Sequence, residues 1–144
     1  MILHIGTGDR NANYVLGGSI LPNVTEVRDL GVIIDSNLRF KQYICCIVTN
    51  AYRRAALILR CFQSHDSLLL FKAFTTYVRP MLEYCSQVWS PHYVNMIESV
   101  QRRFTKRVQG LAHRCYQDRL NALSAGTLFQ SIMSHCIALE AMIS

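Results

Sequence analysis

Four cationic residues lie close together in one segment of the sequence, and their spacing suits the binding of phosphate groups. They are Arg102, Arg103, Lys106 and Arg107. The apolar residues around them recur at helical spacing: Ile97, Val100, Phe104, Val108 and Leu111. Residues 94–110 are therefore predicted to form a helix with the cations facing outward, where Gln101 and Arg114 can extend the surface. Arginine binds phosphate through paired hydrogen bonds, and phosphate contacts give affinity without base specificity.

A simpler interpretation of this segment is a solvated helix face. Glu98 would then pair with Arg102 four residues further on, contributing a few tenths of a kcal/mol. Arg53 and Arg60 form a second, weaker candidate surface, because they share a face of an earlier predicted helix. Spacing alone leaves both interpretations open.

The charge of the chain is concentrated in its centre. The 144 residues have a formal net charge of +6. Residues 1–38 hold 2 basic and 4 acidic residues, whereas residues 39–119 hold 13 basic and 4 acidic residues, a net charge of +9. A basic block of this kind favours an anionic partner, although an ordinary helical bundle with surface arginine and lysine is the alternative.

Patterns typical of catalysis and metal binding are missing from the sequence. No two acidic residues are adjacent, so the paired aspartates that hold two metal ions for nucleotide polymerisation are not present. There is no phosphate-binding glycine loop. His113 with Cys115, and Ser90 with His92, are common local spacings that lack an orienting third group. We predict no catalytic residue, no metal site and no cofactor in this chain.

Six cysteines are present, without a Cys-x-x-Cys motif or zinc-ligand spacing. We predict free, mostly buried thiols, because unpaired cysteine commonly behaves as a small hydrophobic residue. No apolar run approaches the roughly 18–20 residues that cross a bilayer. The N-terminus lacks the basic start of a secretory signal. We therefore expect an intracellular location, in the nucleus or the cytoplasm.

The first 35 residues predict short strands and turns. Residues 2–5 form a short apolar stretch, and residues 14–21 indicate a hairpin around Gly17-Gly18, because paired glycines supply the positive φ angles of a tight turn. Residues 28–34 form a second apolar stretch that Gly31 interrupts. A glycine in that position fits a bulge or a close backbone approach.

From residue 38 the apolar period changes to about 3.6, which predicts α-helices. The first helix follows the polar cluster Asp35-Ser36-Asn37, and its apolar stripe is Phe40, Ile44, Ile47, Ala51, Ala55, Ile58 and Phe62. Later helix ends are marked by the pair Asp66-Ser67, by Pro80 and Pro91, and by Gly110. Shorter helices are predicted over about 114–123 and 127–142. The fold class is therefore mainly α: a short β-hairpin element at the N-terminus followed by an α-helical bundle.

Large rings lie around the two prolines, where we predict that they pack in the core between kinked helices. They are Phe74, Tyr77, Tyr84 and Trp89. Arg79 and Glu83, four residues apart, are predicted to form a salt bridge within the bundle.

Several segments follow one another in an order that is characteristic of a known family. They are Leu3-His-Ile-Gly, Tyr14-Val-Leu-Gly-Gly, Val27-Arg-Asp-Leu-Gly-Val-Ile-Ile-Asp, Ser36-Asn-Leu-Arg-Phe, Tyr77-Val-Arg-Pro-Met-Leu-Glu-Tyr, Val88-Trp-Ser-Pro, Glu98-Ser-Val-Gln-Arg-Arg-Phe-Thr-Lys and Tyr116-Gln-Asp-Arg-Leu-Asn-Ala-Leu. Their order and spacing over residues 2–123 resemble the region behind the catalytic strands of LINE-type (non-LTR) retrotransposon reverse transcriptases.

This resemblance implies a division of the chain and a role for each part. Residues 1–37 would form the end of the palm, where Asp29, Leu30 and Gly31 resemble the primer-grip turn that contacts the nucleic-acid strand. Residues 38–144 would form a helical, thumb-like bundle. The implied partners are RNA and DNA in a template–primer duplex. The parent family is an RNA-directed DNA polymerase that uses Mg²⁺, but its catalytic aspartates are not in this chain, which is predicted to be inactive alone.

The end of the chain departs from the family pattern. Where family members continue with a Glu-x-Arg-Arg-like core, residues 127–136 hold no arginine, so residues 127–144 are degenerate in this respect. Two alternatives to the nucleic-acid function stay open. One is a helical protein–protein interaction domain with an exposed apolar patch along residues 127–143. The other is a non-functional relic of a decayed transposable element.

Overall fold

Short β-strands precede a series of α-helices in the computed structural model, which describes residues 1–6, 12–89 and 93–143, with side chains as far as residue 138. The fold is mainly α, as the sequence predicts. Two compact units divide the chain, Met1–Tyr43 and Ile44–Ser144, and the division falls in the first turn of the first helix.

The first unit contains six strands within its described residues. They are β1 (Ile2–Leu3), β2 (Val15–Leu16), β3 (Ser19–Ile20), β4 (Asn23–Val24), β5 (Glu26–Asp29) and β6 (Val32–Asp35). Strands β2 and β3 pair antiparallel, as do β5 and β6, whereas β1 and β4 pair parallel. The predicted hairpin at residues 14–21 is therefore present, while the parallel pair is an addition that local sequence patterns did not indicate.

A tight turn of two residues joins β5 to β6. Asp29 pairs with Val32, and between them Leu30 and Gly31 have φ angles of 45° and 87°. Positive φ at both central residues is the mark of a type I′ turn, whose twist matches that of the flanking strands. Gly31 therefore lies in a hairpin turn, as the resemblance implies for Asp29, Leu30 and Gly31, and not in the bulge that the apolar pattern also allowed.

Asp35 organises the chain between the last strand and the first helix. Its carboxylate accepts hydrogen bonds from the backbone N–H groups of Asn37, Arg39 and Phe40, at 2.8–3.2 Å. Leu38 and Phe40 both have positive φ angles of 53°. The helix consequently begins a few residues after the polar cluster, because the cluster supports a turn before the helix.

Seven helices follow within the described residues. They are α1 (Lys41–Cys61), α2 (Ser67–Tyr77), α3 (Arg79–Glu83), α4 (Ser86–Trp89), α5 (Val94–Arg107), α6 (Tyr116–Ala122) and α7 (Leu128–Ile143). Asp66 caps α2, accepting a hydrogen bond from the N–H of Leu68 at 2.9 Å. Pro80 lies in the first turn of α3, where its missing N–H leaves no helical bond unmade. The predicted break at Pro91 lies outside the described residues.

The core of the second unit is built from the inward faces of these helices. Phe74 of α2 and Phe104 of α5 are buried, and their ring centroids are 4.5 Å apart. The α1 stripe is buried from Ile44 to Ile58, but Phe62, placed on it by its spacing, is 38% exposed beyond the helix end. Offset ring pairs of this kind stabilise the core beyond the area that they bury.

The aromatic residues near the prolines divide into two classes. Trp89 is buried and donates its indole N–H to the backbone oxygen of Tyr84 at 2.9 Å. The side chains of Tyr77 and Tyr84 are largely exposed, so their predicted place in the core was wrong. Tyr77 is the last residue of α2 and Tyr84 follows the last residue of α3, so both lie where a helix ends and the side chain faces solvent.

The six cysteines are free thiols, as predicted, but their expected burial was wrong for most of them. Four are exposed, namely Cys45, Cys46, Cys61 and Cys115. In α1 the inward positions are taken by Ile44 and Ile47, which turns Cys45 and Cys46 outward. Among the described residues, no helix combines the length and apolar character of a membrane span.

Candidate nucleic-acid interface

Helix α5 places the four clustered cations on its outward side. Its inward residues Ile97, Val100 and Phe104 are at most 1% exposed, and this burial fixes the orientation of the helix in the second unit. Arg102, Arg103, Lys106 and Arg107 are all exposed. Lys106 and Arg107 lie in the last turn, where positive charge interacts favourably with the helix dipole. Exposure and helix phase therefore agree with the surface predicted for residues 94–110.

Two of these cations lie over aromatic rings. The guanidinium carbon of Arg102 is 5.1 Å from the ring centroid of Tyr116, at the start of α6. That of Arg103 is 5.2 Å from the ring centroid of Tyr52, on α1. Arginine stacks on rings through its flat, weakly hydrated face, which leaves its N–H groups at the edge available to an acceptor. The two rings lie on different helices, so Arg102 is directed toward α6 and Arg103 toward α1.

Glu98, the acidic residue of α5, does not form the surface pair with Arg102 that the simpler interpretation required. Its side chain is buried, with 4% exposed. One carboxylate oxygen accepts a short hydrogen bond from the hydroxyl of Tyr116, and the other accepts from the N–H of Phe129 at 3.2 Å. The negative charge is thus directed into the bundle, toward the first turn of α7, where it interacts favourably with the helix dipole.

Gln101 belongs to the same buried group and does not extend the basic surface. It is fully buried, and its side-chain amide donates to the hydroxyl of Tyr116 at 3.0 Å and to the backbone oxygen of Gly126 at 3.1 Å. Burial, followed by the hydrogen bond to the Glu98 carboxylate, raises the pKa of Tyr116. Arg114, in contrast, is exposed in the turn after α5.

One ion pair is formed within the described residues, between Arg79 and Glu83, whose Nε and Oε1 atoms are 2.7 Å apart. This is the salt bridge that their spacing predicts. The four cations of α5 have no carboxylate partner in the part of the chain that the structure describes. Their charge is therefore compensated by solvent ions or by a ligand.

Arg53 and Arg60, the second candidate pair, are both exposed on α1. Arg54, between them, donates a long hydrogen bond of 3.4 Å to the backbone oxygen of Tyr77. They belong to the same unit as α5 and lie on the outer side of α1, whose inner stripe is buried.

The turn at Asp29, Leu30 and Gly31 lies in the first unit, and the basic residues of α5 lie in the second. The Leu30 side chain is 83% exposed at the tip of the hairpin. An exposed apolar residue in a strained backbone conformation is unusual, because left-handed φ angles disfavour side chains with a Cβ.

Sequence reasoning did not foresee three residues of this region. Tyr52 and Tyr116 support the arginines from helices other than α5, so only the tertiary fold brings them together. Arg119 of α6 is buried, 7% exposed, and its guanidinium carbon is 5.5 Å from the centroid of the Tyr116 ring. Its burial follows from the inward phase of α6, where Leu120 is also buried.

No group of three or more potential metal ligands occurs among residues 1–6, 12–89 and 93–138. His113 and Cys115 are both exposed and share no hydrogen bond. Ser90 and His92 lie outside the described residues. Along the segment named for a protein-interaction patch, α7 exposes Phe129 and Ile137 while Leu128 and Ile132 are fully buried.

Comparison with known proteins gives one similarity that carries no functional description. The chain is 29% identical over 101 residues to the uncharacterized protein B0403.1 of Caenorhabditis elegans. The match covers 66% of this chain and 51% of that protein, so the chain spans about half the length of the curated relative that it matches. No family model matches the sequence, and no solved structure matches it.

Proposed function

We propose that this chain is the primer-grip and thumb part of a non-LTR retrotransposon reverse transcriptase, and that it holds template–primer duplex through the nucleic-acid backbone. The ordered sequence motifs suggest the family. The observation that carries the binding role is the outward face of α5, where four exposed cations have no carboxylate partner among the described residues.

The burial of Glu98 supports this role directly. An exposed glutamate on α5 would neutralise part of the charge of the helix and would repel phosphate. With the carboxylate held by Tyr116 and Phe129, the outward face is uniformly positive. Uniform charge suits a row of phosphates, whose contacts release counterions and so provide most of the affinity of sequence-independent binding.

The aromatic supports add geometric order to this charge. Arg102 and Arg103, which lie over Tyr116 and Tyr52, are held in place before any ligand binds. An ordered guanidinium loses less side-chain entropy on binding than a free one, and its edge can grip a phosphate through two hydrogen bonds. Backbone contacts of this kind suit a thumb, which must hold a duplex of any sequence.

Catalysis is assigned to another part of the proposed polymerase. Nucleotide addition with two metal ions needs carboxylates that hold both ions close to the primer end. The present sequence has no adjacent acidic pair. In this proposal the chain holds template–primer and performs no chemical step. Leu30 and Gly31 at the hairpin tip contact the nucleic-acid strand.

The test is binding of a labelled RNA–DNA duplex, measured by fluorescence anisotropy across a salt series. With about four phosphate contacts, the logarithm of the affinity should fall against the logarithm of the salt concentration with a slope of about −3 to −4. Changing the four α5 cations to glutamine should abolish most of this slope. The single change Lys106→Gln should reduce its magnitude by about 1.

Lys72→Gln is the matched control, because Lys72 is an exposed lysine on a different helix, α2. It should leave the slope unchanged. An affinity that does not vary with salt, or a fourfold variant that binds as tightly as the original chain while its helical circular dichroism is intact, would refute the proposed function.

A further inference from the structure

A groove lies beside the side of α5 that faces α1. Its first part is a hollow of about 100 Å³. The hollow is lined on the α1 side by Ala55, Ala56 and Leu59, and on the α5 side by Arg103, Phe104 and Arg107. Small and aliphatic side chains thus form its floor, and two of the basic residues form its rim.

A second hollow, of about 290 Å³, continues the first. The two share Leu59 and Arg107, and the second extends past the end of α1 to Phe62 and His65. From Tyr52 to Phe62 the groove follows α1 for about 15 Å, at the rise of an α-helix. That length matches about three turns of a helix lying along it.

The α5 rim of the groove is positive. Arg103 and Arg107 line the first hollow, Arg107 also lines the second, and no acidic residue is among the described residues that line either one. Two like charges on one rim attract an anionic ligand and disfavour a cationic one. An apolar floor beside a positive rim complements a ligand that is apolar on one side and acidic on the adjoining flank.

The floor favours a peptide over a nucleic-acid strand. A single strand binds by stacking its bases on exposed aromatic faces. In the first hollow the ring of Tyr52 is covered by the Arg103 guanidinium, and Phe104 is 1% exposed and stacked on Phe74. Aliphatic side chains such as leucine need no such face and are held by contact with Ala55, Ala56 and Leu59.

We propose that this groove binds an acidic amphipathic helix of a partner protein, with the apolar side of the partner helix on the Ala55–Leu59 floor and its carboxylates on Arg103 and Arg107. This mode of recognition, helix in groove, uses apolar anchors at i, i+3, i+4 and i+7. The peptide proposal is independent of duplex binding in its floor, because Ala55, Ala56 and Leu59 belong to α1. Arg103 and Arg107 line the groove and also belong to the α5 cations proposed to contact duplex, so the two ligands would compete for them.

The experiment uses the full chain and a fluorescent designed peptide of about 15 residues, or about four helical turns, with leucine at the anchor positions and glutamate beside them. A scrambled peptide of the same composition keeps the charge and loses the apolar stripe. The designed peptide should bind at least tenfold more tightly than the scrambled one. Ala56→Trp, which fills the floor without changing charge, should remove that preference.

Arg107→Gln provides a second variant that leaves the floor intact, and it should weaken the designed peptide about tenfold. Arg39→Gln is the matched control, because Arg39 is an exposed arginine in the turn before α1 that lines neither hollow, and it should have no effect. The proposal would be overturned if both peptides bound with equal affinity or if neither bound. It would also be overturned if Ala56→Trp abolished the binding of an oligothymidine strand and left the binding of the designed peptide unchanged. RNA–DNA duplex binding should survive Ala56→Trp, which separates this proposal from the proposed function.

Discussion

Glu98 lies on the buried side of α5, where a charged side chain is ordinarily unfavourable. A buried carboxylate loses its hydration, and that loss is offset only when hydrogen bonds replace the water. Here the hydroxyl of Tyr116 and the N–H of Phe129 supply those bonds, and the amide of Gln101 supports the same hydroxyl. The group joins α5, α6 and the start of α7, so one carboxylate connects three helices.

Tyr116→Phe removes one hydroxyl and leaves the Glu98 carboxylate and the Gln101 amide each short of a partner. We expect a loss of about 1–3 kcal/mol in the free energy of unfolding, measured by urea denaturation at neutral pH. Tyr77→Phe removes a hydroxyl from a largely exposed ring and should change stability by less than about 0.5 kcal/mol. Equal effects of the two changes would show that the buried group contributes little.

The raised pKa of Tyr116 adds a pH signature to this comparison. In the unfolded chain a tyrosine releases its proton near pH 10, whereas in the folded chain Tyr116 keeps it to higher pH. The unfolded state then binds fewer protons than the folded state, so stability falls as pH rises above about 10. The stability difference between the original chain and Tyr116→Phe should therefore shrink above about pH 10 and stay constant between about pH 6 and 9.

At the scale of elements, the β5–β6 hairpin carries an unfavourable residue at its tip. Leu30 has a φ angle of 45°, in the region where side chains with a Cβ are disfavoured and asparagine is tolerated. Leu30→Asn creates the Asn-Gly sequence preferred in type I′ turns. We expect the hairpin to gain about 1 kcal/mol, seen as slower amide hydrogen exchange across β5 and β6. Faster exchange would mean that the leucine side chain stabilises the turn.

The helices of this fold were largely predictable because their signals are local. The α1 stripe follows the helical period, and Asp66 and Pro80 act through their own backbone neighbours. The β1–β4 pair was not predictable, since it joins strands of two residues across a gap of about twenty in a parallel arrangement. The role of Gly31 depended on whether the strand continued or turned, which the apolar pattern alone does not decide.

In the candidate site, as in the fold, only the features that depend on one element were predictable from the sequence. Helix phase sufficed to place Arg102 and Lys106 on the outward face of α5, because the apolar residues Ile97, Val100 and Phe104 mark the side of the helix that is buried. It did not suffice for Glu98 and Gln101, whose burial depends on hydrogen-bond partners from α6 and α7. Whether a polar residue near the edge of a helix face is buried depends on the neighbouring elements. The spacing of residues within one helix does not show where those elements lie.

At the scale of the whole molecule, the two units differ in how much apolar side chain they bury. Among the described residues of the first unit, the buried apolar side chains are Val32, Phe40 and Tyr43. The second unit buries residues from all of its helices. Paired strands that lack a core are marginally stable in isolation, whereas a helical bundle with a continuous core folds by itself.

A fragment of residues 38–144, which keeps α1 whole, should therefore unfold cooperatively and retain the helical circular dichroism of the full chain. A fragment of residues 1–40 should show no cooperative thermal transition. If the longer fragment lost its cooperative unfolding, the helical unit would depend on the residues before it for stability.

The inward turn of Glu98 has a practical consequence for anyone who handles this chain. A helix that has withdrawn its own carboxylate from the surface must recruit small anions from the buffer to balance its exposed cations. We expect such a surface to adhere to sulfonated and heparin resins and to retain contaminating polyanions at low salt. We therefore expect moderate salt to reduce polyanion contamination and to improve solubility, because chloride then balances the exposed cations of α5.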